Sequence, residues 1–213
     1  DIVCGRLAPD AKLRIEELRQ DYDTGASPLR EALSRLAGEG FVTAEGQRGF
    51  RVAPISLPDL DEITRLRIML ECEALRESIA SGTDAWESDL VAAFHHLAKV
   101  EGATSIAPDV LEWEMRNHAF HEALIAACDS SWLLRFRRTL FEQHKRYRLI
   151  SILDDASPRD VHAEHETIFR AALARDADAA CAATESHIQR TADITRAAFK
   201  RFAEEAAASA EPA

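Results

Sequence analysis

The sequence predicts a mainly α-helical protein in two parts: a small helix-turn-helix unit ending in a β-hairpin, then an all-α antiparallel bundle of six or seven helices. Three observations predict it. Hydrophobic residues make up 46% of the 213 residues while Gly and Pro number only 8 and 7, a composition suited to long uninterrupted helices. The stretch Gly25–Gly40, GASPLREALSRLAGEG, carries helix start and stop signals around an apolar stripe. The acidic surplus lies almost entirely beyond residue 53: residues 1–53 hold eight Lys/Arg against nine Asp/Glu, and the remainder holds 18 against 28. Of the net charge of −11, all but one unit therefore belongs to the second part, which does not exclude phosphate binding by the near-neutral first.

Taken in order, Asp1–Gly5 reads as the tail of a helix stopped by glycine. Ile15, Leu18 and Tyr22 space an amphipathic helix, and Asp23–Ala26 forms a turn. In the next helix Ser27 is placed to cap the first turn, Pro28 to occupy the first helical position and Gly40 to take the left-handed ending. Leu29, Ala32, Leu33 and Leu36 would face inward, leaving Ser27, Pro28, Arg30, Ser34 and Arg35 to solvent. Phe41–Ala44 and Phe50–Ala53 read as a hairpin around Glu45–Gly49. Helix-turn-helix plus hairpin is the winged-helix plan over residues 1–53. Residues 54–58 form a linker in which Ser56 can cap the first helix of the bundle. The bundle over 59–205 divides into segments near 58–81, 86–101, 108–128, 132–153, 158–174 and 177–205, punctuated by Gly82, the Asp84-to-Glu87 capping pattern and Pro158. Residues 206–213 are expected to be disordered.

No run is long and apolar enough for a membrane span and no signal peptide is visible. The cysteines at 4, 72, 128 and 181 are scattered singly, which fits reduced thiols in a cytoplasmic protein.

Three histidines fall on apolar faces at helical spacing. His121 lies among Asn117, Leu124, Ile125 and Cys128; His165 among Val161, Ile168, Phe169 and Ala172; His187 among Ala180, Ala183, Thr191 and Ile194. Singly, each reads as a core imidazole bonded to a neighbour. Together they admit a second reading, in which three neutral imidazoles and the Asn117 oxygen hold a divalent ion, Zn²⁺ first and Ni²⁺ or Mn²⁺ as alternatives. His118 and His162 sit at the stripe edges as substitutes, and His95, His96 and His144 are expected at the surface or rim. Arg67 shares a face with Ile63, Leu66 and Leu70, where a guanidinium needs an anion. Glu71, one turn on, is one partner; a ligand carboxylate also held by the metal is another. Arg137 and Arg148 border the inward face of their helix as further candidates. On the first unit, Arg14, Ser27, Arg30 and Arg35, with Pro28 beside them, are placed for phosphate and base-edge contacts, and Arg48 beside Gly49 for a groove contact from the hairpin tip.

Residues 5–53, from GRLAPDAKL through SPLREALSRLAGEGFV to GQRGFRVAPIS, resemble the winged-helix domain of GntR-family bacterial transcription factors. Residues 58–195 resemble the helical FCD effector domain of that family's FadR-type subgroup, through RIMLE at Arg67–Glu71, NHAFHEALIAAC around His121, HETIFRAALARDADAA from His165, and His187. The resemblance implies a homodimer that binds double-stranded operator DNA and a small organic acid beside a divalent metal held by Asn117, His121, His165 and His187. Two positions depart from the family pattern. Asn117 stands where Asp is usual, and Ala26 stands where many relatives carry a base-reading Arg, shifting DNA contacts toward Ser27, Arg30 and the wing. RLAGEGFVTAEGQRGFRVA, GTDAWESDL and LFEQHKRYRLI are similar to members that respond to glutarate, implying a short dicarboxylate or hydroxy acid as effector, spanning the metal and Arg67 or Arg148. The other class the histidines admit is a metal-dependent hydrolase, for which Glu114 and Glu166 are available as a general base, though neither follows a hydrolase motif.

Overall fold

The structure, a computed structural model, describes residues 1–3, 5–46, 49–102, 110–152 and 159–209, with the side chains of 149–152 and 202–209 left aside. Cys4, Arg48 and Pro158 thus lie outside the described residues. Among the described residues eight helices and three short strands follow in order: β1 (Lys12–Leu13), α1 (Ile15–Asp21), α2 (Ala26–Gly38), β2 (Val42–Ala44), β3 (Phe50–Val52), α3 (Leu57–Ser81), α4 (Asp84–Glu101), α5 (Val110–Leu124), α6 (Ser131–Ile152), α7 (Val161–Leu173) and α8 (Ala177–Ser209).

The hairpin strands pair antiparallel, with Val42 opposite Val52 and Ala44 opposite Phe50. A strand with no signal in the sequence, β1, adds to the other edge of β3, setting Leu13 opposite Phe50. Two residues are too short to display an alternating pattern. Leu13, Leu18, Leu29, Leu33, Phe41 and Val52 form the core between helices and sheet. Ala32, expected inside, is exposed, and Leu36 is half-buried.

The ends of α2 differ instructively. The stop is as read: Gly40 takes φ +80°, its N–H donates to Ala37 O at 3.2 Å, and Phe41 N–H donates to Leu36 O at 2.9 Å. This is the paired closing pattern that only a left-handed residue completes easily. The start is two residues early. Extended Gly25 is the N-cap and the Ser27 hydroxyl makes no capping bond. Pro28 therefore stands third in the helix, still within the first turn whose N–H groups have no helical acceptor, so its missing donor costs nothing. Ile2, Val3 and Gly5 lie in a turn, with Gly5 N–H donating to Ile2 O at 3.1 Å, and not in the expected helix tail.

In the bundle α3 packs along α8 and α6, while α4 lies against α5 and α7. Leu75, Leu90, Leu97, Phe120, Ile168 and Ala172 are among the side chains that fill the centre. Ser56 caps α3 by accepting Asp59 N–H at 3.3 Å, as expected. Thr83, not the Asp84-to-Glu87 pattern, stands at the N-cap of α4, and its side chain makes no capping bond. Helix α5 ends at Leu124, four residues before its apolar stripe does, because Ile125–Cys128 closes a separate turn. Asp160 starts α7 by accepting Ala163 N–H at 2.9 Å. Helix α8 continues through Ser209, carried by the high helix propensity of Ala and Glu; residues 210–213 lie outside the described ones.

Candidate metal and ligand site

Three helices deliver the histidines to one point. His121 on α5, His165 on α7 and His187 on α8 are all buried, and one ligand atom from each lies within 4.8 Å of the others. Ring centroids are 5.5 Å apart for His121–His165, 5.4 Å for His121–His187 and 4.6 Å for His165–His187. Carboxylates hold the outer nitrogens of two rings: His165 Nδ1 lies 2.7 Å from Glu101 Oε1, and His187 Nδ1 lies 2.9 Å from Glu164 Oε2. With Nδ1–H donating outward, each Nε2 keeps its lone pair for the interior.

What the interior offers that lone pair is nothing from the protein. His121 Nε2 and His165 Nε2 are buried without a hydrogen-bond partner, and so are both amide atoms of Asn117, one turn before His121. Orphaned buried acceptors are costly, and a shared cation satisfies them together. Burial, reinforced by the neighbouring imidazoles, holds His121 well below the ordinary histidine range. Burial likewise lowers His187 to about 3, against the opposing bond from Glu164. Glu164 itself is held to about 2, since the His187 and Arg159 bonds outweigh its burial. Neutral imidazoles at physiological pH are the form that binds a metal.

A second cluster abuts the first through Phe141 on α6, whose ring centre lies 5.7 Å from that of His121. The guanidinium carbons of Arg67 and Arg137 each sit 4.5 Å from the Phe141 ring centre, and that of Arg148 sits 5.1 Å away. Glu71 lies between the first two, 3.2 Å from Arg67 Nε and 3.0 Å from Arg137 Nε. Glu122 also pairs with Arg137. Arg148 is grasped by both oxygens of Glu114 at 2.7 Å. Formal charge is thus matched, three cations to three carboxylates, but hydrogen bonding is not. Arg67 Nη2, Arg137 Nη2 and His144 Nε2 are buried without an acceptor or donor. Burial lowers Arg67 to about 10, with Glu71 opposing and Arg148 and Arg137 adding to the fall.

Several expectations change here. His144, expected at the rim, is fully buried, with its Nδ1 3.0 Å from Arg67 Nη1. Arg148 is already engaged by Glu114, so the open donors belong to Arg67 and Arg137. Glu101 was invisible in the sequence as one of many acidic residues; its side chain is 1% exposed and also receives Trp113 Nε1 at 3.2 Å and meets His162 Nδ1 at 3.2 Å. His118 is half-buried against Phe141, with ring centres 5.1 Å apart. His95 and His96 are exposed.

Across the molecule, Ser27, Pro28, Arg30, Ser34 and Arg35 stand exposed on the outer face of α2. Arg14, at the N-cap of α1, is exposed and pairs with Glu17 at 2.7 Å. Gly49 adopts φ +96° and its carbonyl accepts Glu45 N–H at 2.8 Å, closing the wing turn.

Comparison with known proteins agrees with both parts. Residues 1–52 match the profile of "Bacterial regulatory proteins, gntR family", and residues 62–190 match that of the FCD domain. The chain is 41% identical over 198 residues to the uncharacterised HTH-type transcriptional regulator BphR of Paraburkholderia xenovorans, covering 92% of this chain and 81% of that one. It is 39% identical over 192 residues to the HTH-type transcriptional repressor GlaR of Escherichia coli, covering 88% and 87%. Among solved structures, Escherichia coli McbR/YncC superposes with a TM-score of 0.78 at 20% identity, covering 93% of this chain and 92% of that one.

Proposed function

Because the chain belongs to the GntR family of bacterial regulatory proteins and carries an FCD domain, it is a DNA-binding transcriptional regulator and not an enzyme, and we propose that it is a repressor controlled by a small dicarboxylate bound beside a divalent metal. One observation carries this reading: unpartnered Nε2 atoms and the Asn117 amide abut unpartnered guanidinium nitrogens across Phe141. The metal is held by His121, His165, His187 and the Asn117 oxygen, with Zn²⁺ the first choice for nitrogen donors in a tight site and Ni²⁺ or Mn²⁺ the alternatives.

All four of those donors are neutral, and the nearest carboxylates, Glu101 and Glu164, stand behind the imidazoles, so an anion is the ligand suited to bind a dication there directly. A short dicarboxylate does so with one end at the metal. Its other end receives Arg67 Nη2 and Arg137 Nη2, which can address two oxygens of one carboxylate. Glutarate is the first candidate, followed by 2-hydroxyglutarate, succinate and citrate. The regulator acts as a homodimer on a palindromic operator, the exposed face of α2 entering the major groove and the wing tip with Arg48 meeting the adjacent groove or phosphate. Among the described residues no helix is long and apolar enough to cross a membrane, and a cytoplasmic site of action beside the chromosome is part of the proposal.

Neither carboxylate named as a hydrolase's general base is free. Glu114 is committed to Arg148, and Glu166 lies on the outer face of α7 paired with Arg170 at 2.7 Å. Calorimetry on zinc-loaded protein tests the proposal: glutarate or one of the three other acids releases heat, and the response is lost in His121→Ala. No heat from any of the four refutes the ligand class. Footprints of unpaired single half-sites refute the dimer.

A further inference from the structure

Helix α6 presents one face to the ligand cluster and another to the DNA-binding unit. Arg137, Phe141, His144 and Arg148 follow the spacing of four, three and four residues that lines up a single helical stripe. Gln143 and Arg146 lie on the adjoining stripe and reach the other way. Gln143 Nε2–H donates to Glu39 O, the carbonyl at the end of α2, at 2.6 Å. Gly40 leaves room for this reach, since a Cβ there would come within 3.3 Å of Gln143 Nε2. Arg146 donates through Nη2 to Ala53 O, just past β3, and its Nη1 lies 3.4 Å from Gln143 Oε1.

A third tie lies one residue further on. The Tyr147 hydroxyl accepts Ser56 N–H at 3.2 Å and donates to Asp59 Oδ2 at 2.6 Å. One helix therefore holds the end of the recognition helix, the end of the wing strand and the connector into α3. Arg146 is the informative member. It is 6% exposed, yet the oxygens it donates to are neutral. A buried guanidinium committed to a backbone carbonyl contributes little to stability, since burying charge without a carboxylate is costly.

We propose that α6 is the coupling element, with Gln143 and Arg146 as its output contacts: movement of α6 as ligand engages Arg137 and His144 is delivered to Glu39 and Ala53 and changes operator affinity. This rests on the ligand reading of the Arg67–Arg137–His144 cluster. A packed helix moves as a unit, so a displacement at one stripe appears at its neighbour. The two stripes interleave at adjacent positions, 143 beside 144 and 147 beside 148, which leaves no slack between input and output.

The test uses the full chain and a duplex it selects from random sequence. In zinc-loaded parent protein, saturating glutarate changes DNA affinity by a factor in the usual allosteric range of roughly 5 to 150. In Gln143→Ala/Arg146→Ala that factor falls to within about twofold of one, below the low end of that range, while the heat of glutarate binding is retained. An undiminished factor overturns the proposal. Gln143→Glu, which removes the donor to Glu39 with little change of shape, is the milder variant should the double one fail to fold, and it is expected to reduce the factor in the same direction. A second comparison needs no ligand: His144→Gln shifts DNA affinity in the parent and not in the double variant, or not in Gln143→Glu. Equal shifts in both backgrounds, or no shift in the parent, overturn the coupling. Absence of glutarate heat in the parent refutes the ligand reading alone, and the His144 comparison then decides the coupling.

Discussion

Replacing Glu101 by Gln is expected to weaken zinc binding by roughly 10- to 100-fold, the usual cost of losing the carboxylate behind a metal-bound histidine. The carboxylate accepts His165 Nδ1 at 2.7 Å and Trp113 Nε1 at 3.2 Å through the same oxygen. Gln fills the same space and its oxygen can keep both donors, so the packing survives. What changes is the bond to His165, from charge-assisted to neutral, which forfeits about 1 kcal/mol. Removing a buried negative charge that faces an incoming dication through one imidazole adds to this, and a total of about 1.4 to 2.8 kcal/mol corresponds to the stated range. The amide nitrogen then faces His162, whose side chain is 42% exposed and free to adjust its tautomer. Competition for zinc against a chelating dye reads the affinity directly. Glu166→Gln, on the outer face of the same helix as His165, is the control and is expected to leave it unchanged. Zinc affinity within twofold of the parent in Glu101→Gln, or an equal loss in Glu166→Gln, refutes the orienting role.

Glu71→Ala leaves the buried guanidiniums of Arg67 and Arg137 facing each other without their shared carboxylate, and is expected to cost about 3 to 5 kcal/mol, lowering Tm on the order of 10 °C by calorimetry; a drop under about 3 °C would count against the site's internal charge balance. In chelator-treated protein, stability is expected to be full above the ordinary histidine range and to fall as pH drops from about 6.5 toward about 3, because the folded state holds His187 neutral while the unfolded chain takes up the proton. At pH 5 this one residue accounts for about 2 kcal/mol, so urea unfolding of His187→Gln should show a flatter decline between pH 7 and 5. Arg30→Ala is expected to weaken binding to all DNA sequences alike and to reduce the salt slope by about 1, whereas Arg48→Ala reduces discrimination between operator and other DNA; equal losses on both would contradict that division.

The architecture was legible wherever the information was local. Three imidazoles at the centre of apolar stripes were visible because helical spacing alone decides which face a residue joins, and the left-handed stop at Gly40 needs only its own neighbours. The partners of those residues were not legible. His144 has a polar, basic sequence neighbourhood that reads as rim; it is buried because α3 lays Arg67 and Glu71 against that side of α6, a fact of helix packing and not of periodicity. Glu101 is placed by the approach of α4's last turn to α7, some 60 residues away in sequence. Arg148 reads as open because the sequence does not reveal that Glu114, on another helix, meets it with both oxygens. The β1 strand and the early start of α2 at Gly25 fall below what local patterns resolve, since one is two residues long and the other turns on a single extended backbone.

The adjoining stripes on α6 also constrain how this chain can change length. Substitutions along the helix alter one contact each, but inserting or deleting a single residue between Arg137 and Gln143 would turn everything beyond it by about 100° and shift it by about 1.5 Å. Input and output would then no longer address the same neighbours, even with every amino acid type preserved. Helix α6 is therefore a ruler as well as a support: its spacing is expected to be fixed to the residue while the outer face of α2, which is exposed, is free to be rewritten for new operators.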